Sequence, residues 1–381
     1  MYFPDAMLGM LGGGQLGRMF TLAAHSMGYR VTVLDPDRGS PAGLIADVHL
    51  RAAYQDRDAL QQLADTCVAV TTEFENVPAE SLRWLAAHCT VRPTGDSVAV
   101  AQDRTREKRF LTANGFDVAS YAVIERAEDC ERADASLLPG ILKRARFGYD
   151  GKGQARVATL DEVKSAFTAL GAEACVLEKQ VDLDCEVSVV AARGADGATR
   201  SFPVAENQHR NGILDVSIVP ARVSAAIARK AEEAAQKVAE KLGYCGVLAV
   251  EFFVTRDGSL LVNEIAPRPH NSGHYTIDAC ATSQFEQQVR TLCGLPLGDT
   301  RLLSPVAMVN LLGEVWQQGQ PAWDHVFACA DAKLHLYGKH EARPGRKMGH
   351  YTVLGSDADD ALAKALAIRS KLSPDFNLDP A

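Results

Sequence analysis

The sequence predicts a mixed protein, α/β at its amino-terminal end and α+β beyond it, with two or three domains. Three observations carry that expectation. As far as Arg92-Pro93-Thr94-Gly95, short apolar strands alternate with amphipathic helices, the rhythm of a parallel sheet. Further on, a glycine-rich run joins two strands instead of opening a helix. Later still, residues 246–272 read as a β-hairpin, with two apolar runs around Arg256-Asp257-Gly258-Ser259. The 381 residues are enough for several cores, and 47% apolar with 23% charged residues is ordinary for a soluble globular chain. A net charge of −8 argues against nonspecific binding to nucleic acid or acidic membranes, though not against local basic sites for a phosphate-bearing ligand. The amino terminus has no basic n-region of a secretory signal, and no apolar run of about 18 residues could span a membrane. Nine cysteines scattered singly fit a reducing cytoplasm and no zinc site.

In order, a strand over 7–11 runs into Gly12-Gly13-Gly14-Gln15-Leu16-Gly17, followed by a helix over 18–27 and a strand over 30–34 ending at Asp35. This matches the dinucleotide fingerprint and, alone, proposes NAD. A phosphate-bearing substrate fits as well, because glycines let backbone N–H groups at a helix start approach any anion. A helix over 58–64, a strand over 67–72 and a helix over 79–88 continue the rhythm. Glu73 follows a strand's carboxyl end, where open α/β sheets bind ligands; it either contacts one or serves as a helix N-terminal carboxylate.

A polar helix over 98–114 carries Asp103, Arg104, Arg106, Lys108 and Arg109, charges that read as a solvated face. Strands over 140–144 and 155–158 flank the glycine loop. It is not a Walker loop, since Lys152 precedes Gly153 and not Ser or Thr. A flexible lid over phosphates, charged by Lys143 and Lys152, fits better than a plain turn. A helix over 160–170 and strands over 175–179, 185–192 and 201–204 follow, with Glu186 opening the second of these strands. Residues 205–212 read as irregular and polar, and 224–242 as an amphipathic helix.

Asp-Gly between two apolar runs signals a two-residue hairpin loop, which needs positive φ at both positions. With that loop, Arg256 pairs with Ser259, and five residues back on each strand Glu251 faces Glu264. Their Cβ atoms would lie about 5 Å apart. Facing carboxylates destabilise a sheet unless something positive lies between them, and Mg2+ or Mn2+ with oxygen ligands meets that need. The other reading, a solvated face, sits poorly with the flanking Leu, Val and Phe residues. Beyond the hairpin come a rigid polar turn (268–274), strands over 306–311 and 333–337, and a basic run over 338–350. In an acidic protein that run reads as a phosphate or carboxylate site, or else as a solvated turn.

Together these residues resemble the ATP-grasp superfamily, through the strand–glycine loop–strand lid, the hinge Glu178-Lys179-Gln180-Val181 and the paired carboxylates. Six segments in order, GGGQLGRM, TTEFENVP, FGYDGKGQ, ENQHRNGILDVSIVPA, NEIAPRPHNSGHYT and YGKHEARPGRKMGH, resemble its 5-(carboxyamino)imidazole ribonucleotide synthetase family. The resemblance covers the whole chain. It implies a Rossmann-like pre-ATP-grasp domain over 1–98, a two-lobed ATP-grasp clamp over 99–299 with its lid lobe at 112–182, and a small domain over 300–381. It further implies a cytoplasmic, homodimeric ATP-dependent carbon–nitrogen ligase of purine biosynthesis, which carboxylates 5-aminoimidazole ribonucleotide with bicarbonate through carboxyphosphate.

Residue by residue, the resemblance assigns ATP to Arg104, Lys143, the loop Gly148, Tyr149, Asp150, Gly151, Lys152, Gly153 and Gln154, the hinge Glu178, Lys179, Gln180 and Val181, and to Glu186, His209, Asn263 and Glu264. It assigns the magnesium ion (or manganese) to Glu251 and Glu264. The ribonucleotide falls to Gln15, Leu16, Glu73, Asn271, Lys339 and Arg346, and the bicarbonate chemistry to Asp150, Lys152 and Lys347. Ala266 departs from the wider superfamily, where many members place an Asn ligand, so water must complete the metal shell. A formate-using glycinamide ribonucleotide transformylase shares lid and hairpin, but ENQHRNGIL fits it less well. An NAD-dependent oxidoreductase leaves hairpin, lid and basic run unexplained. Intact Glu251, Glu264, Lys143 and Asp150 speak against a nonenzymatic nucleotide-binding regulator.

Overall fold

The amino-terminal βα repeats form a five-stranded parallel sheet. Its strands are β1 (Met7–Leu11), β2 (Arg30–Leu34), β3 (Val48–Leu50), β4 (Ala69–Thr72) and β5 (Thr90–Val91), in the spatial order β3-β2-β1-β4-β5. The order reverses beside β1, which places the switch point at the glycine turn. The structure is a computed structural model and describes residues 1–146, 148 and 153–372. Helix α1 (Gln15–Ser26) buries Leu16, Met19, Phe20 and Ala24 on the sheet. It begins three residues earlier than its sequence pattern indicates, because Glu73 supplies acceptors for backbone N–H groups at its start. Helices α2 (Arg57–Thr66) and α3 (Ala79–Ala86) pack in a separate core on the opposite face, with Leu11, Leu34 and Val70.

The single helix expected over 98–114 is two helices, α4 (Gly95–Ala101) and α5 (Arg104–Ala113). Asp103 makes the break, since its side chain accepts from the N–H groups of Thr105 and Arg106 and so starts a new helix. The charges on α5 are not one solvated face. Arg106 and Arg109 point to solvent, but Glu107 and Lys108 are fully buried.

A four-stranded antiparallel sheet follows, from β6 (Tyr121–Ile124), β7 (Gly140–Arg144), β8 (Gln154–Val157) and β9 (Cys175–Lys179), in the order β6-β9-β7-β8. The glycine loop joins β7 to β8 and Lys143 ends on this sheet, as the lid reading requires. The third sheet holds nine strands: β10 (Leu183–Arg193), β11 (Thr199–Ser201), β12 (Ala205–Arg210), β13 (Ile213–Val219), β14 (Gly246–Thr255), β15 (Leu260–Ala266), β16 (Val306–Leu312), β17 (Ala332–Leu336) and β18 (Lys347–Leu354). Its order, β15-β14-β10-β12-β13-β16-β18-β17, with β11 beside β10, carries it past residue 300 without a break. Leu248, Val250 and Phe252 of β14 pack under helix Ala225–Lys241, while Val247 and Ala249 enter a second core on the opposite face. That second face continues into Glu251 and Phe253, and there it stops being apolar and lines a cavity.

Two turns differ from expectation. Residues 205–212 are not irregular: β12 and β13 pair through a two-residue loop, Asn211-Gly212, with φ of 52° and 77°. Conversely, the Asp-Gly loop has three residues. Thr255 N–H donates to Ser259 O at 3.0 Å, and only Gly258 has positive φ, at 79°. Asp257 keeps negative φ and accepts from Ser259 N–H. Near the tip, Val254 therefore pairs with Leu260, one step off the expected register. A bulge between Val262 and Glu264 restores it, and Glu251 faces Glu264 after all.

Candidate active site

A cavity of about 520 Å³ opens where the three sheets meet. Gly14, Gln15, Leu16 and Glu73 reach it from the parallel sheet, Arg104 and Glu107 from α5, and Lys143, Gly148 and Gln154 from the lid sheet. The large sheet contributes Glu186, His209, Glu251, Asn263, Glu264 and Lys347, the polar turn His270 and Asn271, and the connection between β17 and β18 Lys339. Residues up to 333 positions apart in sequence thus share one space; Lys339 Nζ, for example, donates to Gln15 Oε1 at 2.8 Å.

The hairpin carboxylates sit in contrasting fields. Glu264 accepts from Arg104 at 3.0 Å; burial alone would raise its pKa, but Arg104, Lys143 and Arg268 outweigh burial and hold it low. Burial and the facing Glu264 push Glu251 up, with His209 and Lys347 offsetting only part. Glu251 is held by His270 Nε2, 3.1 Å away. His270 is itself kept neutral by burial and by Arg268 and Lys347, and its Nδ1 lies 2.9 Å from Ser272 Oγ. Ser272 continues a buried chain in which Ser217 donates to Asn207, Asn207 to Ser188 and Ser188 to Ser272. Each polar group in that floor orients the next. Glu186 pairs with His209 Nδ1 at 3.0 Å, and ligand atoms of Glu186, His209 and Glu251 lie within 4.8 Å of one another. This oxygen-rich set fits a hard divalent cation, which would supply the positive charge that Glu251 lacks. On the lid side, Glu178 Oε2 accepts from Lys143 Nζ at 2.9 Å.

The glycine turn is already filled by the protein's own carboxylates. Gly13 N–H donates to Asp35 at 2.7 Å, and the N–H groups of Gly14 and Gly17 donate to Glu73. A Cβ on Gly14 would stand 2.5 Å from Glu73 Oε1, so the turn needs glycine there. A dinucleotide pyrophosphate would meet two carboxylates where it requires donors. Glu73 thus serves as the helix N-terminal carboxylate of α1, and it also lines the cavity. Glu73→Ala is expected to lower stability by about 1–2 kcal/mol, as for a lost N-cap; an unchanged urea midpoint would refute the capping role.

Comparison with known proteins gives the family. Residues 6–102 match the ribonucleotide synthetase preATP-grasp domain, 109–285 the ATP-grasp domain, and 306–364 the phosphoribosylaminoimidazole carboxylase C-terminal domain. The N5-carboxyaminoimidazole ribonucleotide synthase of Bacillus subtilis is 45% identical over 359 residues, covering 94% of each chain. The chain belongs to the N5-carboxyaminoimidazole ribonucleotide synthase family. These synthases are ATP-dependent ligases of purine biosynthesis. A solved ADP complex of an N5-carboxyaminoimidazole ribonucleotide synthetase superposes with a TM-score of 0.92 at 44% identity over 97% of each chain. The Aspergillus clavatus synthase, solved with ADP and 5-aminoimidazole ribonucleotide, does so with a TM-score of 0.89 at 32% identity, over 97% of this chain and 99% of that one.

Not every residue assigned by resemblance to this synthase site lines the cavity. Glu178 lies buried behind Lys143, while Lys179, Gln180 and Val181 border a neighbouring groove of about 400 Å³ at the hinge. Arg346 is outside the lining, and its Nη1 donates to Glu341 O at 2.9 Å. Gly153 takes a positive φ of 75° beside Arg144. Tyr149, Asp150, Gly151 and Lys152 lie outside the described residues. Sequence reasoning missed Glu107, Arg268 and His270. Of these, Glu107 left one legible sign: with Arg104 and Lys108 it completes the positions i, i+3 and i+4, on one helix face.

Proposed function

We propose that this cavity carboxylates 5-aminoimidazole ribonucleotide, using ATP and bicarbonate, to 5-carboxyaminoimidazole ribonucleotide, ADP and phosphate. The observation that carries the reading is that Arg104, Lys143 and the facing Glu251 and Glu264 share one cavity with Gln15, Glu73, Lys339 and Lys347. One end is built for a nucleotide triphosphate with its cation, the other for a second, phosphate-bearing substrate.

At the first end, Arg104 and Lys143 offset charge on the transferred phosphoryl group. Glu251 and Glu264, with Glu186 and His209 close by, would hold Mg2+, which when bound neutralises phosphate charge. Bicarbonate is a poor electrophile; taking the γ-phosphoryl group on an oxygen makes it carboxyphosphate, which breaks to CO2 and phosphate. Asp150, Lys152 and Lys347 are the residues we assign to this step. On this reading the lid sheet that carries Lys143 would exclude water while these species exist. The exocyclic amine then attacks CO2, forming the C–N bond and losing a proton to phosphate or Asp150. Gln15, Leu16, Glu73, Asn271, Lys339 and Arg346 would hold the ribonucleotide so that its amine faces the CO2, an orientation effect. We further assign the chain to the cytoplasm as a homodimer.

ADP release with Mg2+ and bicarbonate tests the reading. It is expected to rise on adding 5-aminoimidazole ribonucleotide, and not with formate and glycinamide ribonucleotide. Release driven by the second pair alone would keep the nucleotide site and discard the named reaction.

A further inference from the structure

β15, which carries Asn263 and Glu264, is the outermost strand of its sheet, so its outer N–H and C=O groups need partners. The chain beside it supplies them. Val262 N–H donates to Asp117 O at 2.8 Å, and Ile265 N–H donates to the Glu107 carboxylate at 2.5 Å. The carbonyl of Asn263, the extra residue of the bulge, accepts from Lys108 Nζ at 3.2 Å. Consecutive side chains of α5 thus stand in for a neighbouring strand at the place where the ladder is irregular. The bulge matters because it sets Asn263 next to Glu264 on the cavity wall, where a regular strand would send them to opposite faces.

Lys108 has no exposed surface, and its ammonium also lies 3.5 Å from Glu178 Oε1. Glu178 uses its other oxygen to accept from Lys143, the lid cation that lines the cavity. A methionine would fill the same volume without a buried charge, so packing does not explain a lysine there. We infer that Lys108 is a positioning residue for the nucleotide end of the cavity. From one point it fixes the bulge that presents Asn263 and Glu264, and it shares the counterion that aims Lys143. This rests on the proposed reading of Arg104, Lys143 and Glu264 as the nucleotide end.

Lys108→Met and Lys108→Gln in the full chain test it. Lys108→Met is expected to raise both the KM for ATP and the Mg2+ concentration for half-maximal rate by at least about tenfold, the scale for groups that orient ligands. The KM for 5-aminoimidazole ribonucleotide should change by less than about twofold, since that substrate is held elsewhere. Amide hydrogen exchange should quicken across residues 260–266 and not across 246–254. Lys108→Gln, which keeps a donor and loses the charge, should fall between. Unchanged ATP and Mg2+ dependence in folded Lys108→Met overturns the inference. So does an equal rise in both KM values with a lowered Tm, the pattern of general loosening. If neither variant shows a cooperative unfolding transition, Lys108 serves the fold alone and the inference fails. A wild-type chain that releases no ADP with the ribonucleotide would instead discard the proposed function, leaving amide exchange to decide the role of Lys108.

Discussion

Glu264→Ala is expected to cut ribonucleotide-stimulated ADP release by about three orders of magnitude, roughly 4 kcal/mol of transition-state stabilisation. Two losses combine in this variant. The cavity loses a carboxylate that faces Glu251, and with it half of the proposed protein ligand set for the cation. Arg104, which donates to Glu264 at 3.0 Å, also loses its counterion in a largely buried position. Glu264→Gln separates these effects: it keeps the shape and an acceptor for Arg104 but removes the negative charge, so most of the rate loss should persist. Measuring ADP release alongside Tm distinguishes lost chemistry from lost fold. A Glu264→Ala protein that folds normally and retains more than about a tenth of the rate would remove this carboxylate from the phosphoryl-transfer site.

Acid is expected to destabilise the protein steeply below pH 6.5, through two buried histidines. His274 and His350 have no exposed surface, and their rings lie tilted by 37° with centroids 4.8 Å apart. Burial holds both pKa values well below the ordinary range, with His270, His335, Lys347 and Arg268 adding to this for His274, and His274 and His335 for His350. Tyr337 OH lies 2.9 Å from His350 Nδ1, and His335 stacks on His350 while pairing with Asp278. In the unfolded chain both histidines titrate near pH 6.5. Below that pH the unfolded state binds two protons that the folded state refuses, so stability falls as pH falls. The slope is about 1.4 kcal/mol per pH unit for each histidine, or about 3 for the pair, and above pH 6.5 the contribution is constant. Urea midpoints between about pH 5 and 7.5 measure this, and His350→Gln should halve the slope assigned to the pair. An unchanged slope in that variant would mean that His350 is protonated in the folded state.

How much of this was legible in the sequence depended on whether local chemistry decided the outcome. The parallel sheet and the lid strands followed from periodicity, because each strand answers mainly to its own burial. The facing of Glu251 and Glu264 is read correctly from the sequence for an incorrect reason. Asp257 accepts from Ser259 N–H and keeps negative φ, which lengthens the loop, and the bulge at Asn263 cancels that error before Glu264. A bulge held in place by a lysine 155 residues earlier has no local signal. At Asn211-Gly212 the failure was the reverse. The turn dipeptide was plain, but Glu206, Asn207, Gln208 and His209 looked too polar for a strand. Asn207 serves a buried hydrogen-bonded floor and His209 the cavity above it, while Glu206 pairs with Arg222 and Gln208 is exposed. Lys108 reads as a solvated charge in the sequence because Glu178, which neutralises it, comes from β9.

The nine-stranded sheet crosses residue 300 as a continuous hydrogen-bonded ladder, with β13 paired directly to β16. Cutting the chain there would leave β13 as a raw edge, open to pairing with other chains. The same continuity bears on geometry. Glu251 stands on β14 and Lys347 on β18, so a carboxylate and an ammonium that line the same cavity are mounted on one twisted slab. Their separation is built into the scaffold and does not need to be found anew at each turnover. The four-stranded sheet that carries Lys143 is hydrogen-bonded separately and is not part of that slab.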